Sequence, residues 1–332
     1  MEQSIPTYYS QFHCLAGACP DSCCKEWEVD VDDLSARRYR TLPGPLGDRL
    51  RQVLQDTPDG TVMTIENGRC PMWQPDGLCR IQAQLGHDAL CQICRQFPRL
   101  HHHYGDFEEL GLELSCPEAA RLILTAPRLQ FETNALPGGA SADYDRDAMA
   151  TLRKSRAALL SFLADGAYAV PQALTVMLLY SHQVQSELDG GAEAFLQPQH
   201  ALATAKRIAA EGNLEDLYTF FKSLEILTDR WQEKLDADPG PCRWQPAHLA
   251  LARYFVGRYW LQAVWDLDLI SRVKLAVTAC LLISSMDGDP IETAQLFSKE
   301  IENDPENLDA LLDAAYMHPA LTDQALLSLL AE

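Results

Sequence analysis

The chemistry open to this chain is set by its cysteines. Cys14, Cys19, Cys23 and Cys24 are spaced C-x4-C-x3-C-C, a stretch short enough for the thiolates to converge on one centre without closing a long loop. The intervals lie near, without matching, the C-x4-C-x2-C of plant-type ferredoxins, and they also accommodate the cysteine pairs of structural zinc sites. Adjacent side chains diverge, so Cys23 and Cys24 are expected to serve two centres. A second group comprises Cys70-Pro71, Cys79-Arg80, Cys94-Arg95 and Cys116-Pro117. A following proline biases its cysteine to extended backbone and brings no N–H of its own, and Cys19-Pro20 repeats the device. A neighbouring arginine favours the thiolate, which is the form that binds metal. Eight thiolates in two groups is the count for two four-ligand sites, or for one iron–sulfur cluster plus a structural ion.

Other residues read more plainly. A lone cysteine is usually a small buried apolar residue, which is the expectation for Cys242 and Cys280. Cys91, one turn before Cys94, is left outside the ligand set. Three adjacent histidines cannot all face one ion, so His101-His102-His103 is expected in a solvated loop. Tyr8, Tyr9, Phe12, Trp27 and Trp73 suit either a dry shell around a metal site or ordinary core. The amino terminus, MEQSIPTYYSQFHC, lacks the basic, apolar and small-residue regions of a signal peptide, and the expected compartment is the cytoplasm. There, clustered cysteines more often bind metal or react than pair as disulfides.

The elements that must position these residues fall into two parts. Nine of the eleven cysteines lie in the first 116 of 332 residues, a region also broken by PGPLG, TPDG and PDG turns. Helical spacing there is limited to Leu46, Leu50, Val53 and Leu54, while residues 61–66 and 107–114 read as short strands. From about residue 145 apolar residues recur at helical spacing, with Pro171, Gly190-Gly191, Gly212, the PGPCR at 239–243 and Asp304-Pro305 marking ends of seven or eight helices. The predicted fold is mainly α. It has an irregular cysteine-rich metal-binding domain with a few strands over residues 1–126, a connecting loop over 127–144, and an all-α domain over 145–332. A net charge of -20 repels phosphate backbones and anionic lipid, excluding nucleic acid and membrane surfaces as expected partners. The apolar run at 275–286 is too short to span a bilayer. No dinucleotide-binding, P-loop, zinc-protease or nucleophile-elbow motif occurs.

Four blocks, YYSQFHCLAGACPDSCCKEWEVDVD, CPMWQPDGLCRIQAQLG, LCQICRQFPR and LELSCPEAARLIL, follow in order over residues 8–124. They resemble the flagellin lysine N-methylase family, whose front part is related to the CxxCxxCC zinc- or iron-chelating proteins. LARYFVGRYWLQAVWDLDLISRVKLAV at 251–277 is similar to that family in pattern. The resemblance implies methylation of flagellin lysine side chains, with S-adenosylmethionine as donor and an iron–sulfur cluster, of the 4Fe-4S type, held by the cysteine-rich part. The family's cysteine blocks fall on Cys14, Cys19, Cys23, Cys24, Cys70, Cys79, Cys94 and Cys116; Cys91 is outside the pattern, and no catalytic base or donor-binding residue is implied. A lysine ammonium with pKa near 10.4 must lose its proton before it attacks a methyl sulfonium, so polar transfer needs desolvation and a base rather than a redox centre. A cluster would then orient the donor, act reductively or serve structure. The alternative reading is a non-enzymatic module with structural zinc or iron, whose helices bind a protein partner. Either way the expected partner is flagellin or another lysine-bearing protein, and the acidic surface would attract it or simply keep the chain in solution.

Overall fold

A computed structural model describes residues 1–25, 27–194, 197–204 and 212–331. The chain opens with strand β1 (Glu2–Pro6). Through the cysteine-rich stretch it forms β2 (Val29–Val31), helices α1 (Asp33–Thr41) and α2 (Gly44–Val53), strands β3 (Leu54–Thr57) and β4 (Gly60–Met63), and the short helices α3 (Arg80–Leu85) and α4 (Gln92–Gln96). Strands β5 (Arg99–His103) and β6 (Phe107–Leu112), helix α5 (Pro117–Thr125) and strand β7 (Phe131–Ala135) follow. The remainder is α6 (Arg146–Asp165), α7 (Val170–Leu188), α8 (Leu214–Lys222), α9 (Asp229–Asp236), α10 (Pro246–Tyr259), α11 (Ile270–Ser285), α12 (Pro290–Phe297), α13 (Pro305–Met317) and α14 (Asp323–Ala331). The fold is mostly α with some strands, as expected.

Two compact units result: Phe12–Leu100 with Cys116–Glu118, and Met1–Gln11 with His101–Ser115 and Ala119–Glu332. The cysteine-rich unit is thus smaller than a cut at residue 126 would make it, because β1 and β6 are recruited into a sheet of the helical unit. Inside the cysteine-rich unit, β2, β4 and β3 form an antiparallel sheet in that order. Val29, Val31 and Met63 meet Ala36 and Tyr39 of α1 and Leu46, Leu50 and Val53 of α2 in one apolar cluster. The helical spacing of those last three is realised in α2, whereas the strand expected over 61–66 ends at Met63. Asp32 caps α1 by accepting from the Ser35 N–H at 3.0 Å. The buried Tyr39 hydroxyl donates to the Ala89 carbonyl at 2.7 Å, tying that helix to the segment that leads into Cys91.

In the helical unit the sheet order is β5-β6-β1-β7, with β1 parallel to β6 (Gln3 opposite Glu108) and antiparallel to β7 (Glu2 opposite Ala135). The connection expected over 127–144 therefore contains a strand. Four of the five β7 residues are exposed, so no alternation betrays it; it forms because β1 otherwise presents an unpaired row of backbone groups. Likewise the three histidines lie in β5, with alternating exposure, not in a loop.

Nine helices, α6 to α14, occur among the described residues after 145, against seven or eight expected. The additional break comes at Thr228, whose hydroxyl accepts from the Trp231 N–H at 3.2 Å and starts α9 afresh. Pro171, Gly190 and Pro305 mark helix ends as read from sequence, Asp304 capping α13 through the Asn307 N–H at 2.8 Å. The signal at Gly212 follows residues 205–211, which lie outside the described residues. The apolar run at 275–286 belongs to α11, in which fifteen of sixteen residues are buried against α7, α10, α12, α13 and α14. Ser284 and Ser285 return hydrogen bonds to the helix's own carbonyls, to Leu281 at 2.9 Å and Leu282 at 2.8 Å, so burial leaves them satisfied, whereas the buried Thr278 Oγ1 has no hydrogen-bond partner among the described residues. No described helix is long and apolar enough to cross a membrane.

Candidate metal centre

Within the cysteine-rich unit, nine cysteines line one cavity of about 140 Å³: Cys14, Cys19, Cys23, Cys24, Cys70, Cys79, Cys91, Cys94 and Cys116. Local structure explains how each arrives. Cys14 and Cys19 bracket a 3-10 turn at Ala16–Ala18, and the Ala16 N–H points at the Cys14 sulfur at 3.4 Å. Pro20 holds Cys19 extended, at φ -68° and ψ 126°. Cys79 and Cys91 sit at the first turns of α3 and α4, and Cys116 immediately precedes α5. The Cys70 N–H donates to the Cys24 carbonyl at 2.9 Å, drawing the first and second blocks together. Gly77, at φ +80°, makes the other closure: a Cβ there would lie 2.8 Å from the Gly17 Cα, so only glycine allows the two loops to touch. Phe12 and Phe97 add apolar wall; Arg99 lies over the Phe12 ring at 5.1 Å, and Trp27 meets the Phe97 ring edge-on at 6.1 Å.

The structure brings together all eight cysteines singled out from sequence and adds Cys91. That residue forms a C-x2-C pair with Cys94 across the start of α4, an interval typical of metal ligands. Cys23 and Cys24 converge rather than diverge, because they lie in a turn rather than in extended backbone. Cys24 accepts hydrogen bonds from the thiols of Cys23 and Cys70, which lower it to about 3 and hold both donors well above the usual thiol range. The same exchange lowers Cys91 and raises Cys94. Arg69 also favours the Cys24 thiolate, while burial raises Cys19, with Lys25 opposing. Burial raises Cys79, opposed by the backbone N–H of Gln82. None of the eleven cysteines is paired in a disulfide; Cys280 is buried in the helical core as expected, and Cys242 is half-buried.

Sulfur, space and charge all fit an iron–sulfur group. The cavity has roughly ten times the 10–15 Å³ that one water needs, which suits a polynuclear group better than a lone ion. Ionising more of these thiols multiplies like charge in one small space, and iron supplies the compensating positive charge. The distribution allows more than four ligands, so a cluster would leave thiols for a further ion.

The helical unit holds a different constellation. Glu302, wholly buried, closes a π-helical turn at Ser298–Glu302 that continues α12. It accepts from the hydroxyls of Tyr254 at 3.0 Å and Tyr259 at 2.9 Å and pairs with Arg258 at 3.1 Å. Burial raises the neighbouring Glu113 to about 7, with Arg258 opposing and Glu302 reinforcing the shift. Burial and Arg258 lower His102 to about 4. The buried His102 Nε2 and Arg258 Nε have no hydrogen-bond partner among the described residues. A carboxyl group poised near neutrality beside unpartnered polar atoms is suited to exchange a proton. Sequence offered only Glu113's place at the end of a strand; the groups that perturb it arrive from residues some 140 to 190 positions later. A groove of about 900 Å³ in the same unit, lined in part by Arg128, Phe131, Arg153, Phe162 and Tyr168, has the size of a small-molecule site.

No family model and no solved structure matches the chain. Among characterised proteins, it is 32% identical over 135 residues to a flagellar biosynthetic protein, FliU, of Salmonella muenchen. That stretch is 37% of this chain and 76% of the relative. It is also 32% identical, over 135 residues, to the lysine-N-methylases of Salmonella typhimurium and Salmonella choleraesuis, in each case covering 32% of the relative's length. With three quarters of one relative covered and the cysteine blocks in the order that the sequence resemblance requires, the chain belongs to the flagellin lysine methylase family.

Proposed function

We propose that this protein is a protein-lysine N-methyltransferase that transfers a methyl group from S-adenosylmethionine to lysine side chains of flagellin and carries a cysteine-ligated iron–sulfur cluster. One observation carries the reading: the four cysteine blocks on which the family resemblance rests fold around a single cavity, together with Cys91. Cys14, Cys19, Cys23, Cys24, Cys70, Cys79, Cys91, Cys94 and Cys116 are the residues available to hold the group. When bound, it would supply a Lewis-acidic iron able to bind the amino-acid end of the donor.

The transfer itself asks for a base. The target ammonium must give up a proton, after which the nitrogen lone pair forms a bond to the methyl carbon as the carbon–sulfur bond breaks and its electron pair stays on sulfur.

Anaerobic reconstitution of the full chain with iron and sulfide, followed by transfer of labelled methyl from S-adenosylmethionine to flagellin, tests the reading. Expected are brown protein with acid-labile sulfide, labelled lysine, and loss of both iron and transfer in Cys24→Ser and Cys70→Ser but not in Cys242→Ser. Colourless, zinc-loaded protein that leaves flagellin unlabelled would instead favour a structural metal module.

A further inference from the structure

We propose that His101, His103 and Glu108 form a second metal site, separate in its residues from the cysteines and suited to a first-row transition dication such as Zn2+. Alternation along β5 sends His101 and His103 to one face and His102 to the other. Glu108 on β6 stands on the same face as the two histidines. His101 Nε2 lies 2.8 Å and His103 Nδ1 3.2 Å from the same oxygen, Glu108 Oε2. The two imidazole centroids are 3.9 Å apart, and all three ligand atoms fall within 4.8 Å of one another.

Tetrahedral bonds of roughly 2.0–2.1 Å to nitrogen and oxygen set neighbouring ligand atoms about 3.3 Å apart. Opening the observed separations by a few tenths of an ångström, within reach of a histidine rotation, admits an ion. Two imidazoles and one carboxylate are the donor set of hydrolytic zinc sites and of facial-triad iron(II) sites, both of which keep positions open. Here the histidine side chains are 43% and 61% exposed and Glu108 only 4%, so those open positions would face solvent.

The carboxylate is held for this purpose. Gln3, its register partner on β1, donates from Nε2 to the other oxygen, Glu108 Oε1, at 2.5 Å. Oε2 is thereby left turned toward the histidines, as outer hydrogen bonds orient ligands in metal sites generally.

Full-length protein, reconstituted with iron and sulfide and then treated with N-ethylmaleimide to block every thiol left unoccupied, would be titrated anaerobically with Co2+ and then with Zn2+. Difference absorption spectra and metal analysis would be read together. Expected is one equivalent of Co2+ with ligand-field bands and no thiolate-to-metal charge-transfer band, displaced by Zn2+. His101→Asn and His103→Asn, exposed positions whose folding circular dichroism verifies, should each weaken binding at least tenfold, and Gln3→Ala by about 10- to 100-fold. Binding unchanged in either histidine variant, a thiolate band accompanying the added cobalt, or no uptake by the wild type would overturn the proposal. Because the readout is metal binding rather than methyl transfer, failure of the enzymatic reading would leave this outcome intact.

Discussion

Replacing Glu113 with glutamine measures what its raised carboxyl costs in stability. In the folded protein burial raises this carboxyl from 4.5 to about 7, so the folded state binds the proton more tightly than the unfolded chain. Below pH 4.5 the group is protonated in both states and contributes no pH-dependent difference. As pH rises from 4.5 to 7, the unfolded chain ionises freely while the folded one resists, and stability is lost; above 7 the loss is complete. The full shift corresponds to about 3 kcal/mol, and the group's partial contact with solvent reduces this to roughly 1–2 kcal/mol. Glu113→Gln removes the ionisation, so the variant should gain on the wild type across that window. At a few degrees per kcal/mol for a domain of this size, its melting temperature should rise by about 2–8 °C relative to wild type at pH 8, with the advantage shrinking toward pH 5. Thermal unfolding of both proteins at half-unit pH steps measures the difference directly, since all other titrating groups are common to the two. A difference in melting temperature that stays flat from pH 5 to 8 would refute the raised carboxyl.

Two further outcomes follow from packing. Arg156 clasps Glu109 through both oxygens at 2.6 and 2.7 Å, each side chain about nine-tenths buried. Arg156→Met leaves a buried carboxylate without its counter-charge and should cost about 3–5 kcal/mol in urea unfolding, most of it recovered in Arg156→Met/Glu109→Met; a single variant within 1 kcal/mol of wild type would show that water already reaches the pair. Leu152→Ala on α6, at a side chain with no exposed surface, should destabilise the helical unit by about 2–5 kcal/mol, checked by the same unfolding measurement.

Local chemistry was legible in the amino-acid order. Cysteine followed by proline or at the start of a helix, the capping Asp304 before Pro305, and the 3.6-residue rhythm of the second half are properties of neighbouring residues, and each reappears in the structure. So does the mostly helical fold. Long-range pairing was not legible. That Cys23 and Cys24 converge depends on a turn whose closure is secured by Cys70, and that Cys91 joins them depends on where α4 packs; neither distance is encoded within either segment. The strand β7 exists only because β1 offers it an edge. His101 and His103 read as loop until β5 alternates them over Glu108, and Glu113 is an ordinary glutamate until α10 and the π-helical turn surround it with Arg258 and Glu302. Residue type and spacing decide which groups are able to bind metal or move a proton, whereas burial and the partners brought from distant segments decide which of them are tuned to do so.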